Sequence, residues 1–242
     1  MPDGFAYCET LLREEDKERY LAALFAPADV RSALLSLYAF DLETARVAQR
    51  VHELLAGEIR LQWWRDALAG EAEGQAAGHP VAAAFRQTMQ QYDLPREPLL
   101  RLLDARRTWL YEEAAAGPDA LGDFARATAG TVLGLAGHIL NGGPDPRIGH
   151  LAETAALAAL VGAEAGAHRH AQAALAAARD SLARTQALIG TIPERALPAF
   201  LPLALARVRL KRMERGVTPD IPQWRKQWIL WRASKDLVRG LA

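Results

Sequence analysis

A chain of 242 residues, half of them apolar, with 29 basic residues set against 29 acidic ones, can bury one sizeable core and carries no net field toward nucleic acid. Its single cysteine, Cys8, excludes an internal disulfide framework and any multi-cysteine zinc or iron–sulfur site. No apolar run nears the length that crosses a bilayer, and the opening MPDGFAYCETLLREEDKER lacks a signal peptide's apolar centre. The expected location is therefore the cytoplasm, with peripheral contact at a membrane surface left open. Alanine, leucine, arginine and glutamate dominate, and alternating β-branched stretches are scarce, which predicts an all-α fold.

The first helix is expected from about Asp3 to Arg13, and a second, DKERYLAALFA, stops at Pro27. Asp29 then opens a long buried helix as N-cap or first-turn acid. Leu34, Leu37, Tyr38, Leu42, Ala45 and Ala48 share one apolar face of it, continued by Val51 and Leu55. Gly57 interrupts the pattern, and Glu58 to Asp66, EIRLQWWRD, begins a new helix. Adjacent tryptophans lie about 100° apart on a helix, so one of Trp63 and Trp64 can enter the core while the other borders it. His79 and Pro80 mark the entry to VAAAFRQTMQQYDL, with His79 expected to be solvated because no ligand partner stands four residues on. After a break at Leu94 to Pro98, LLRLLDARRTWLYEEAAA is amphipathic through Leu99, Leu102, Leu103, Arg106, Trp109 and Leu110. Asp104 should pair with Arg101 or Arg107 at a spacing of three.

These stretches carry a family resemblance. RYLAALFAP, VRSALLSLYAF and EIRLQWWRDAL resemble the squalene/phytoene synthase family, all-α enzymes that join two prenyl diphosphates head to head. The resemblance runs from about Asp16 to Leu237 and implies one helical bundle of the isoprenoid synthase type, residues 1–242, around a central cavity. In that family LYAF leads to an aspartate pair and a further aspartate three residues on, which bind magnesium and through it the diphosphate. Ala45, Arg46 and Gln49 occupy those positions here, and none supplies a carboxylate. Asp41 and Glu43 point about 200° apart and cannot close on one ion. Arg46 could instead meet a phosphate directly. The stretch E-x-R-x-Q-W-W-R is especially similar to the branch with eroded aspartate motifs that includes a mitochondrial complex I assembly factor and its bacterial relatives.

The resemblance also implies a cavity lining. Tyr38, Phe40, Arg60, Trp63, Trp64 and Arg65 are candidates in the first half, although packing alone accounts for the tryptophan pair. Further on, DFARATAGTVLGLAGHIL is rich in small residues, which permit close helix approach or leave room for an apolar ligand. The family has a Y-x-x-x-x-A-G-x-V-G segment there; Phe124 stands at its tyrosine, and Thr131 and Gly134 are lining candidates. His138 reads as a capping or core histidine. The loop NGGPDPRIG is expected to join two halves of one bundle. Beyond it, from Pro146 to Arg179, where the family's second aspartate motif belongs, there is no aspartate, only Glu153 and Glu164. Glu164 and His168 could bind a metal as a pair, but two ligands make a weak site, and His168 and His170 face apart.

The last segment, 207–242, carries ten basic residues against three acidic ones. Trp224, Trp228 and Trp231 follow helical spacing and form one aromatic stripe. An amphipathic stripe usually faces a core, so a docked terminal helix is expected, and family members end in a similar W-R-K-Q segment. The alternative is an interfacial element with indoles at headgroup level and cations toward anionic lipid, or a partner surface. Three functions follow: a non-catalytic binding or complex I assembly-type factor without a metal cofactor; a prenyl diphosphate transferase rebuilt on Arg46, Arg50, Arg60 and Arg65, with Mg2+ as cofactor only in that enzymatic case; or a membrane-surface lipid-binding module with an isoprenoid or lipid ligand.

Overall fold

The computed structural model describes residues 3–47, 54–70, 78–112, 118–163 and 174–236, and these contain helices and connecting turns but no strand. They divide into two compact units, Met1–Ala115 and Ala116–Ala242. The loop NGGPDPRIG lies inside the second unit and does not join the two; the division falls after the amphipathic LLRLLDARRTWL helix. No described helix is long and apolar enough to cross a membrane.

The first unit holds α1 (Gly4–Glu15), α2 (Lys17–Ala23), α3 (Ala28–Ala45), α4 (Leu54–Ala69), α5 (Pro80–Gln91) and α6 (Arg96–Glu112). Asp16 separates α1 from α2: its extended backbone ends the first helix, and its carboxylate accepts from the Arg19 amide at 3.1 Å to cap the second. Pro27 precedes α3, with Asp29 in the first turn, where a negative charge suits the helix dipole. α3 is the hub and packs against α1, α2, α5 and α6. Twelve of its 18 residues are buried, so its burial wraps most of the circumference and it reads as a core helix, not an amphipathic one. Two buried hydroxyls, Ser36 and Thr88, satisfy one another at 2.7 Å where α3 crosses α5.

Three expectations need correction here. The long helix ends at Ala45, while Ala48 and Val51 lie outside the described residues. Leu55 belongs to no core face; it is 66% exposed on α4. Gly57 does not break a helix but sits within α4, because α6 passes so close that a Cβ there would meet Leu110 at 3.1 Å.

The second unit holds α7 (Pro118–Ala125), a π-helical turn (Arg126–Gly130), α8 (Thr131–Asn141), α9 (Pro146–Val161), α10 (Leu175–Leu188), two 3-10 segments (Ile189–Thr191 and Glu194–Phe200), α11 (Leu203–Glu214) and α12 (Gln223–Lys235). The small residues serve close approach. A Cβ on Gly130 would sit 3.2 Å from that of Ala156, and one on Gly137 would collide with Ile148 at 2.4 Å. Gly142, at φ +76°, turns the chain out of α8 with its amide and that of Gly143 donating back to the His138 carbonyl. His138 itself is buried in the last turn of α8. α12 packs against α11.

Candidate functional site

α3 is the helix that the resemblance aligns with the family's first aspartate motif, and the chemistry gathered on it is an internal charge cluster. Asp41 is almost buried, and its two carboxylate oxygens accept from different arginines: Oδ2 from Arg19 of α2, Oδ1 from Arg106 of α6. Arg106 also donates to the Thr44 hydroxyl and, at 3.3 Å, to the Asp41 carbonyl. Thr44 in turn donates to the Phe40 carbonyl at 2.8 Å. Arg19 holds Asp16 as well, Nε to Oδ2 at 2.5 Å, and its guanidinium lies 5.6 Å from the centre of the Tyr38 ring. Helices α2 and α6 are thereby tied to α3 through a network in which both carboxylate oxygens of Asp41 have a donor.

Burial alone would raise the Asp41 pKa, but the Arg106 and Arg19 guanidiniums outweigh it and hold the carboxyl below its ordinary value. Asp41 is a carboxylate under all ordinary conditions. Burial pushes the Tyr38 hydroxyl up to about 12, against the opposing pull of Arg19, so it remains a neutral phenol.

At the motif positions themselves, Ala45 closes α3 and Arg46 follows it; Gln49 lies outside the described residues. Arg46 Nη2 pairs with Glu15 Oε2 at 2.5 Å, across to the end of α1, while its Nη1 is buried without a hydrogen-bond partner. Among the described residues no three His, Cys, Asp or Glu side chains converge so as to hold a metal ion. Glu164, His168 and His170 fall outside them, as does Arg50.

Beside the charge cluster stands an aromatic one. Phe40 stacks on Phe85 at 4.6 Å and meets Trp64 edge-on at 5.3 Å; Trp63 packs edge-on against Trp64 at 5.1 Å. Trp64 is 2% exposed, and Trp63 lies at the border of the core. His79 is half-buried, not freely solvated as its isolation suggested: it touches both indoles, and its Nδ1 accepts from the Ala82 amide at 3.4 Å as the N-cap of α5. Burial lowers its pKa, with Glu43 opposing and Arg60 assisting. The neutral ring with its proton on Nε2 is the form that can cap.

Trp63 also lines an open groove of about 450 Å³ between α4 and α6, with Leu55, Glu58, Ile59, Gln62, Asp66 and Arg107. Arg65 does not reach the charge cluster; it bonds Asp104 of α6 at 2.7 Å. Asp104 thus pairs across helices, not with Arg101, which meets Glu97 at 3.2 Å, four residues before it. Arg60 is exposed on the outer face of α4. In the second unit Thr131 and Gly134 are half-buried, and a Cβ on Gly134 would touch Ala152 of α9 at 3.7 Å.

The two central arginines of the network were missed in the sequence. Arg106 offered a signal, because it interrupts an otherwise apolar helix face, and a cation there needs a buried carboxylate such as the one LYAF-Asp41 places on a core helix. Arg19 offered none beyond its place after the capping Asp16.

The terminal stripe is the other departure. Lys226, Leu230 and Ala233 form the buried face of α12, whereas Trp224, Trp228 and Trp231 are 70%, 50% and 53% exposed on the opposite side. The spacing set the three rings on one face, but a face of aliphatic stems and a small alanine fits closer against α11 than three indoles do.

A sequence profile of squalene/phytoene synthases matches residues 12–162. A rat protein named NADH dehydrogenase (ubiquinone) complex I, assembly factor 6 is 32% identical over 140 residues, 58% of this chain and 42% of its own length. The human protein of the same name is 32% identical over 134 residues, 55% of this chain and 40% of its own. The chain therefore matches only about two fifths of the length of these relatives. Among solved structures, a dehydrosqualene synthase bound to a ligand aligns with TM-score 0.73 over 98% of this chain and 97% of its own, at 16% identity. The squalene synthase HpnC from Alicyclobacillus acidocaldarius aligns with TM-score 0.67 over 88% and 94%, at 23% identity. Both share the all-α isoprenoid synthase fold.

Proposed function

The chain belongs to the squalene/phytoene synthase family, and we propose that it is a non-catalytic member of it, acting as a cytoplasmic binding factor in the assembly of a respiratory complex I-type machine. The observation that carries this reading is the state of α3. Where active relatives by resemblance present carboxylates to magnesium, α3 ends in Ala45 with an ion-paired Arg46 after it, and its buried acid, Asp41, is neutralised by Arg19 and Arg106. Magnesium takes hard oxygen ligands in near-octahedral geometry, usually with one or two carboxylates free to join the substrate's phosphates. The described residues do not fit that ion.

The names of the relatives supply the assembly role, and the exposed Leu54, Leu55 and Ile59 on α4 are apolar surface of the kind that meets a protein client. The alternative of a metal-free prenyl transferase finds little support, because Arg46 and Arg65 are directed to Glu15 and Asp104 instead of converging on one phosphate. Incubation with farnesyl or geranylgeranyl diphosphate and magnesium should release no diphosphate. Turnover abolished by a chelator would refute the reading.

A further inference from the structure

We infer that the outer face of α12 is a membrane-docking surface for anionic lipid. Trp224, Trp228 and Trp231 stand at spacings of four and three, so their rings form one row about 10 Å long, a turn and a half to two turns of helix. All three are at least half exposed, and they point away from the Lys226, Leu230 and Ala233 face that meets the bundle. Three large indoles left in water on one helix call for a cover, since apolar rings of this size are ordinarily buried.

The charges on the helix say which cover fits. Outside its bundle-facing side α12 carries Arg225, Arg232 and Lys235 and no acid; the nearest acids in sequence, Asp220 and Asp236, stand beyond its two ends. Arg232 lies over the Trp228 ring, 5.3 Å from its centre, and Lys235 over Trp231 at 5.6 Å, so cations and indoles share the face. On the adjoining α11 the acid Glu214 is engaged by Arg179 at 2.5 Å. An anionic bilayer surface presents phosphate to the cations and, just beneath, the apolar boundary in which an indole rests with its N–H toward the headgroups. It offers that layered chemistry everywhere, whereas a protein would have to build it at one place. The surface lies far in sequence from α3 and does not depend on whether the family's chemistry survives.

The test is flotation of the full chain with vesicles of phosphatidylcholine alone and of phosphatidylcholine mixed with phosphatidylglycerol. The parent should float with the mixed vesicles, not with phosphatidylcholine alone, and should be released by salt as charges are screened. Removing two cations in R232Q/K235Q should weaken partitioning by roughly fivefold per charge, about 25-fold together. W228A/W231A should abolish flotation while leaving the far-UV circular dichroism unchanged, because both rings are outside the core. Quenching of tryptophan emission by brominated lipid should be seen in the parent and lost in that variant. A parent that ignores anionic vesicles, or variants that float as well as the parent, would overturn the inference and turn the stripe over to a protein partner.

Discussion

Replacing Asp41 with alanine removes the centre of the charge network and leaves Arg106, whose side chain is only 9% exposed, without its carboxylate. Stranding one member of a buried ion pair costs about 3–5 kcal/mol, far more than the pair's net contribution relative to an apolar replacement. Arg19 suffers less, because it is 22% exposed and keeps Asp16. Urea unfolding followed by circular dichroism should show this directly: with a slope of about 3 kcal/mol/M for a chain of this size, the midpoint should fall by roughly 1–1.7 M. Adding Arg106→Met to the alanine variant should recover part of the loss, since the orphaned cation is what destabilises it. The Asp41 pKa is depressed in the folded chain, so its stabilisation is complete above the unfolded value of about 3.9 and disappears as pH falls through the lower folded value. The parent's advantage over Asp41→Asn should accordingly shrink only below about pH 4. A midpoint shift under about 0.3 M, or an Arg106→Met effect that simply adds to the loss, would refute the account of the network.

His79 has a pKa lowered by burial, so the neutral ring's contribution is whole above the unfolded value of about 6.5 and is lost as pH falls toward the folded value. His79→Asn keeps a capping acceptor without that titration, and thermal melts between pH 5 and 7 should show a shallower pH slope than the parent, on the order of tenths of a kcal/mol. Gly162→Ala would drive a Cβ to 2.4 Å from that of Ala206 and 2.7 Å from its Cα. A loss of about 1–3 kcal/mol should follow, whereas Gly149→Ala, at an exposed position of α9 with nothing within 4 Å, should be neutral or stabilising by up to about 1 kcal/mol. Equal effects of the two glycine substitutions would count against the close α9–α11 crossing.

The family, the all-helical fold and the split of the Trp63–Trp64 pair between core and border were legible from composition, periodicity and a few motif residues, whereas only the structure assigns Trp64 to the inside. What periodicity could not convey was which partner a face would meet. Trp224, Trp228 and Trp231 are a clear stripe, yet the lower-profile Lys226, Leu230 and Ala233 make the contact, because a lysine stem counts as polar in a pattern and as aliphatic in packing. Gly57 looked like a break because glycine ordinarily weakens a helix, and only the approach of Leu110 explains its place inside one. The salt links Arg65–Asp104 and Arg106–Asp41 span 39 and 65 residues, beyond the reach of any spacing rule. That Ala45, Arg46 and Gln49 carry no carboxylate is plain in the sequence, but the guanidiniums that answer Asp41 came into view only with three dimensions.

The central claim is that α3 no longer serves a magnesium diphosphate. Isothermal titration of the purified chain with a non-hydrolysable farnesyl diphosphate analogue, with and without magnesium, tests it most directly. The account predicts no magnesium-dependent heat of binding; binding that appears only when magnesium is added would contradict it.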